Sequence, residues 1–406
     1  MRQWMVAAKK ADFYVIAEKF HVDPVVARII RNREVIGEKN IRIYLGGNLS
    51  DLSDPHQMKD MDRLVEILAQ KIRKQVHIRI IGDYDVDGVT SSHLFLTALR
   101  RVGAKVDVVI PHRIQDGYGL SLHLLQQAKE DGVDTILTCD NGIAAIDEIA
   151  WAKAQKMTVL VTDHHAVPFE EHEGRRTEKK SLADAVVNPH QQDCGYPYKE
   201  LCGAGVAWNV IRVLYENYDM DKREAEDLLD FVAMATVCDV MSLTGENRIL
   251  VKEGLKRIRH TKNIGLQALM QACNVQPENI SAYHFGYVLG PCVNATGRLD
   301  TARHALRLFE TGQETEAEEI ARDLVDLNQE RKEMTLQGVE MAKKLCEEGG
   351  YENDPVLVLF LPDVHESIAG LIAGRIREMY NRLFISSYWR GRAATLLPYG
   401  TFWRGY

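Results

Sequence analysis

The sequence predicts an α/β protein organised on a parallel sheet, and three observations carry that reading. From Val76 onward, short apolar runs alternate with helical stretches, the strand-helix repeat that covers both faces of a parallel sheet with helices. Acidic and imidazole residues cluster just after those runs, at the carboxyl ends where open α/β sheets gather their chemistry. A long charged stretch, 324–349, then leads into a second strand-helix unit.

Residues 1–75 read as an N-terminal helical segment. In "DLSDPHQMKDMDRLVEILAQKIRKQ", Leu64, Ile67 and Leu68 fall at helical spacing after an Asp-Pro start. Residues 76–323 read as the catalytic region. Its strands are "VHIRII", "KVDVVIP", "DTILTCD" and "MTVLVTD", separated by helices in "TSSHLFLTALRRVG", "LSLHLLQQAKEDG" and "AAIDEIAWAKAQK". The segment 173–184, "EGRRTEKKSLAD", reads as a polar surface loop, and 203–275 as mainly helical. Residues 324–349 form one charged amphipathic helix that links two domains. Residues 350–406 open with the strand "DPVLVLFLP" and the helix "SIAGLIAGRIREMY", whereas 383–406 have no acidic residue and no clear periodicity. No internal repeat or low-complexity segment is present.

A chain of 406 residues is too long for one hydrophobic core. Its 46% hydrophobic and 27% charged residues are an ordinary globular composition. A net charge of −8 argues against wholesale polyanion binding but leaves room for a local basic groove. No apolar run approaches the ~20 residues of a membrane span, and Lys9 and Lys10 interrupt the N-terminal stretch that would have to serve as a leader. The seven cysteines are scattered without zinc-like spacing, so reduced thiols in the cytoplasm are expected.

Four motifs follow apolar runs: "GDYDVDG" with Asp83, Asp85 and Asp87, "CDNG" with Asp140, "TDHH" with Asp163, His164 and His165, and "ATVCDV" with Asp239. Taken singly, each has a plainer reading: a helix cap, a turn or a solvated charge. Together they make an oxygen-rich donor set with imidazole, which suits Mn²⁺ or Mg²⁺ better than zinc. Several anionic donors fit two ions, which can clamp a phosphoryl group between them. If the segment stays extended, Asp85 and Asp87 face the same side. In "CGAGVAW", Gly203 and Gly205 either let backbone approach a phosphate or form a tight turn into a buried helix. In "NATGRLD", Arg298 either grips a phosphate bidentately or makes an interdomain salt bridge.

In order and wording, these motifs resemble the DHH-superfamily phosphoesterases, in the RecJ-type version specific for single-stranded DNA. "LSDPHQMKDMD" and "IPHRIQDGYGL" are similar to that version too, and the likeness runs over roughly 10–382. The resemblance implies a DHH phosphoesterase domain and a partial DHH-associated domain. It implies a 5′-to-3′ exonuclease that hydrolyses single-stranded DNA in repair and recombination. It further implies that Asp85, Asp87, Asp140, His164 and Asp239 hold two Mn²⁺ or Mg²⁺ ions, with Asp140 bridging them. Asp83 is then a further ligand or an orienting group, Asp163 orients His164, and His165 meets the scissile phosphate. Asn294, Arg298 and His365 contact substrate. Single-strand-binding protein and a helicase are the partners it implies. The likeness fails after Arg382, where the family continues into a phosphate-binding loop and then an oligonucleotide-binding barrel, so a truncated or frame-shifted end is expected. Two other readings stand beside this one: a DHH phosphodiesterase of short RNAs or cyclic dinucleotides, and a non-catalytic scaffold, which should lack the acidic residues present here.

Overall fold

The computed structural model describes residues 10–399 apart from 114–115, 173–174, 352–353 and 391–392. Most of the N-terminal stretch considered as a leader, two positions of "IPHRIQDGYGL" and the last seven residues lie outside the described residues.

The N-terminal segment contains helices α1 (Phe13–Phe20), α2 (Pro24–Asn32), α3 (Glu38–Gly46) and α4 (Met61–Arg73). Leu64 and Leu68 are fully buried, and Ile67 packs at the edge of the same core. Asp60 fastens the start of α4, its carboxylate accepting the Val186 amide at 3.0 Å. The helix that ends the N-terminal segment is therefore part of the main core.

Strands β1 (Ile78–Ile81), β2 (Val106–Val109), β3 (Thr135–Cys139) and β4 (Thr158–Thr162) alternate with helices α5 (Val86–Arg101), α6 (Leu122–Glu130) and α7 (Ile146–Ala154). Part of the segment 173–184 expected to be a polar loop instead forms β6 (Arg175–Glu178), paired antiparallel with the preceding β5 (Phe169–His172). The two strands are held by cross-strand contacts, such as Arg176 over the Phe169 ring at 4.5 Å, which hydrophobic alternation does not announce. Strand β7 (Ala185–Val187) completes a five-stranded parallel sheet in the order β2-β1-β3-β4-β7. Alternate residues feed opposite layers. Ile78, Ile80, Leu137 and Leu160 face the core built by α4, α5 and α8 (Gly203–Asn217), while Ile81, Ile136, Val159 and Val161 face α6 and α7. Burial on both faces explains why β3 and β4 carry no charge, while Arg79 of β1 and Asp107 of the half-buried edge strand β2 pair with each other at 2.6 Å.

Helices α9 (Lys222–Glu226), α10 (Leu229–Cys238), α11 (Gly245–Arg257), α12 (Ile264–Ala272), α14 (Gly290–Leu299) and α15 (Ala302–Glu310) extend the main core, and the short α13 (Ala282–His284) lies outside it. Helix α16 spans Glu314–Gly349 and so begins ten residues before the expected 324. The reason is that Ala317, Ile320 and Ala321 carry its buried face further back, and Arg307 forks onto Glu316 at 2.6 and 2.7 Å beside its first turn. Its first half belongs to the main core and its second half, through Val339, Ala342 and Cys346, to a separate one. That second core also takes in β8 (Val356–Phe360), α17 (Glu366–Tyr380) and Phe384. The tail read as patternless instead forms β9 (Leu383–Arg390), parallel to β8, and β10 (Ala393–Tyr399), antiparallel to β9. Here pairing with a strand far back in the chain supplies the order that local pattern lacks.

Candidate metal centre

The ends of β1, β3 and β4 converge on one site. After β1, Asp85 does not continue an extended segment with Asp87. It is the N-cap of α5, its carboxylate accepting the Gly88 amide at 3.0 Å, while Asp87 already lies in the first helical turn. The helix begins here because the cap satisfies an otherwise free amide. The two carboxylates thus enter different groups. Asp83, Asp85 and Asp140 offer donor atoms within 4.8 Å of one another, as do Asp87, His164 and Asp239, and also Asp140, His164 and His165.

Two donor-bearing turns are conformationally costly. Asp140 follows β3 with φ 61°, and Val240, directly after Asp239, has φ 59°. Side chains with a Cβ rarely sit in this left-handed region, a β-branched one least of all, and such strain collects at functional sites.

His164 Nε2 lies 3.1 Å from Asp140 Oδ1 and 3.6 Å from both Asp87 Oδ2 and Asp239 Oδ2. Yet His164 Nε2, Asp140 Oδ1 and Asp83 Oδ1 are buried without a hydrogen-bond partner. Buried polar atoms left this way are costly, and here they point at one another. Burial, with the neighbouring carboxylates, pushes Asp83 and Asp239 up to about 8 and raises Asp85 and Asp140 as well. Burial holds His164 below the usual imidazole range, against the pull of the neighbouring carboxylates. Crowded carboxylates, an imidazole and orphaned donor atoms fit a divalent cation, which would offset the repulsion.

Asp87 has a second duty. Its carboxylate accepts the Gly203 amide at 2.6 Å and the Ala204 amide at 2.8 Å, capping α8 from outside. The glycines read as a phosphate-binding loop are therefore corrected. Both are buried in α8, and the Gly203 amide is already taken. Gly203 instead permits close approach, since a Cβ there would stand 2.6 Å from Asp140 Cβ.

Asp163 was expected to orient His164, but it reaches that residue only through the His164 amide, at 2.7 Å. The ring it holds is that of His165, whose Nδ1 donates to Asp163 Oδ1 across 2.8 Å. Burial would raise Asp163, but the His165 contact and the Ile143 amide hold it below the usual range. The same hydrogen bond lifts His165 to about 9. Beyond it, Tyr118 Oη lies 3.0 Å from His165 Nε2, and Tyr84 meets Tyr118 edge-on and carries Arg113 over its ring at 4.9 Å. Sequence reasoning missed Tyr118, Tyr84 and Arg113. Tyr118 and Arg113 stood inside "IPHRIQDGYGL" and Tyr84 inside "GDYDVDG", but nothing local tied them to His165, which is 47 positions from Tyr118.

The expected phosphate contacts are placed nearby but already engaged. Asn294 Oδ1 accepts the Val86 amide at 3.1 Å, bracing the first turn of α5. Arg298 reaches the second unit, its guanidinium donating to the Ser367 carbonyl at 2.7 Å. His365 is the N-cap of α17, with Nδ1 2.7 Å from Ser367 Oγ. Ser367 thus joins both residues where the two units meet. A separate cavity of about 720 Å³, lined by His93, Arg100, Phe231 and Phe309, lies at the far ends of α5 and α10 and includes none of the donor residues.

Residues 77–236 match the DHH family, N-terminal domain. The single-stranded-DNA-specific exonuclease RecJ of Haemophilus influenzae is 35% identical over 378 residues, covering 89% of this chain and 63% of that protein. RecJ of Bacillus subtilis is 32% identical, covering 90% of this chain and 45% of that one. The chain therefore spans less than two thirds of the length of these relatives. Among solved structures, an exonuclease RecJ bound to manganese superposes with a TM-score of 0.71 at 31% identity, over 82% of this chain and 80% of that one. RecJ from Thermus thermophilus in complex with Mn²⁺ gives 0.73 at 28% identity, over 93% and 52%. With its donor residues at the strand ends, the parallel sheet they extend and a match covering most of a solved relative, the chain belongs to the DHH family, in its RecJ branch.

Proposed function

We propose that this protein is a divalent-metal-dependent exonuclease that hydrolyses single-stranded DNA from the 5′ end. The observation that carries the reading is the pair of donor groups, Asp83/Asp85/Asp140 and Asp87/His164/Asp239, meeting where Asp140 and His164 approach to 3.1 Å. Asp83, Asp85, Asp87, Asp140, His164 and Asp239 would hold two Mn²⁺ or Mg²⁺ ions, the metals named for the RecJ structures it resembles. Divalent ions, when bound, neutralise charge on a phosphoryl group and activate a water for attack.

The chain's own residues prepare the rest. Asp163 fixes the His165 ring and keeps it protonated, presenting a half-exposed cation beside the donors. Such a group stabilises charge that develops on a phosphate oxygen. Arg298 and His365, joined through Ser367, set the second unit against the site and so define where the strand enters. Repair and recombination are the processes such an activity serves, with single-strand-binding protein and a helicase as partners. Seven free thiols suit a cytoplasmic location.

The test is digestion of 5′- and 3′-labelled single strands, duplex, five-nucleotide RNA and cyclic dinucleotides, with Mn²⁺ titrated calorimetrically alongside. Mononucleotides released from the 5′ end of single-stranded DNA, only with added metal, are expected. Preference for RNA or cyclic dinucleotides, or no Mn²⁺ binding, overturns the proposal.

A further inference from the structure

Away from the donor cluster, two thiols stand together. Cys273 caps the end of α12 and is partly exposed, while Cys292 lies within α14 and is 2% exposed. Their sulfurs are 3.8 Å apart. Cys292 is held from several sides. Its Sγ accepts from the Asn328 amide at 3.5 Å and its thiol faces the Val288 carbonyl at 3.3 Å. Arg331 in turn donates to Asn328 Oδ1 at 2.9 Å. The hydrogen bond from Cys273, with Lys332, Asn328 and Arg331, holds Cys292 below the ordinary thiol range against the opposing effect of burial. The same hydrogen bond, with burial, raises Cys273, so Cys292 is the better attacking sulfur once the solvent-reached Cys273 has been oxidised.

We propose that Cys273 and Cys292 form a redox modification site, at which hydrogen peroxide converts the dithiol into a disulfide that staples α12 to α14. In the first step, Cys273, the sulfur that solvent reaches, attacks the peroxide. An S–O bond forms, the O–O bond breaks, and the thiol proton leaves with the released oxygen as water. In the second, the Cys292 sulfur attacks Cys273 sulfenic acid. The S–S bond forms, the S–O bond breaks, and the hydroxyl leaves with the Cys292 proton as a second water. Two thiols and one peroxide thus give one disulfide and two waters. The sulfurs must close from 3.8 Å to about 2.05 Å, a move that rotation of Cys273 at a helix end can supply. The staple has a defined place. Helix α14 also carries Asn294, which braces the first turn of α5, and Arg298, which holds Ser367 of α17. Oxidation therefore stiffens the junction between the two units.

The test uses the whole chain, treated with hydrogen peroxide, quenched by alkylation and mapped by mass spectrometry. The expected result is loss of two hydrogen atoms, a Cys273–Cys292 peptide pair, reversal by dithiothreitol and a melting temperature raised by several degrees. In Cys273→Ser, a mild change at a partly exposed position, the cross-link is lost while the unoxidised melting temperature stays near that of the parent. In Cys292→Ser, Cys273 stops at a sulfenic acid that dimedone traps. The proposal is overturned if the parent chain itself accumulates dimedone-reactive Cys273, if both sulfurs stay reduced, or if the cross-link joins other cysteines or two chains.

Discussion

Replacing Gly203 with alanine should damage the metal centre, whereas the same change two residues on should not. A Cβ at Gly203 would stand 2.6 Å from Asp140 Cβ, 2.7 Å from Oδ1 and 2.9 Å from Cγ. Ordinary contacts lie near or beyond 3.4 Å, so Asp140 must retreat by roughly 1 Å or α8 must back away. Neither is easy. Asp140 is set by its left-handed turn and by its backbone N–H, which donates to the Thr162 carbonyl at 3.1 Å. The start of α8 is tethered by Asp87 at 2.6 and 2.8 Å. Overpacking of this kind costs about 1–3 kcal/mol, and a displacement of ~1 Å in a reacting group costs on the order of 10²-fold in turnover. At Gly205 a Cβ meets only Leu201, at 3.4 Å, and alanine inside a helix gains about 0.5–1 kcal/mol over glycine. Denaturant melts, calorimetric Mn²⁺ titration and hydrolysis of a labelled single strand measure all three effects. A Gly203→Ala protein with parental Mn²⁺ affinity and rate would refute the reasoning, as would equal damage from Gly205→Ala.

Three further outcomes follow from the geometry. Asp163→Asn should remove the group that orients and charges His165, lowering turnover by roughly 10²–10⁴-fold while leaving Mn²⁺ affinity near the parent value; a large affinity loss would instead make Asp163 a ligand. Adding Mn²⁺ at about 100 times its dissociation constant to chelator-stripped protein should stabilise the fold by about 2.7 kcal/mol, because the cation relieves crowded carboxylates; an unchanged melt would contradict the metal reading. Burial pushes Asp230 up to about 6 from an ordinary 3.8, although Thr261 Oγ1 and the Phe231 amide donate to it. A raised folded-state value means stability that is complete below about pH 4 and lost as pH rises through 6. Asp230→Asn should flatten that slope and gain up to roughly 3 kcal/mol at pH 7; an identical pH-stability curve would exclude Asp230 as its source.

Much of this protein is written locally. Alternation of apolar runs with helical spacing marked four strands, β1 to β4, and their helices, because parallel strands covered by helices are mostly apolar. The residues in "GDYDVDG", "CDNG" and "TDHH" reached one site because strand ends of a parallel sheet open onto a common edge, whereas Asp239 of "ATVCDV" arrives there from the end of helix α10. What the sequence left open are pairings between distant segments. It could not show that Asp85 caps a helix while Asp87 ties down α8, nor that Asp163 serves the His165 ring rather than that of His164. It left Gly203 between a phosphate contact and a tight turn, where packing set it against Asp140. It offered no period in the tail, because the order of β9 comes from β8. Residue type and spacing decide which groups can do chemistry. Which of them touch is decided by how helices and strands close on one another, since contacts between segments leave no trace in local periodicity.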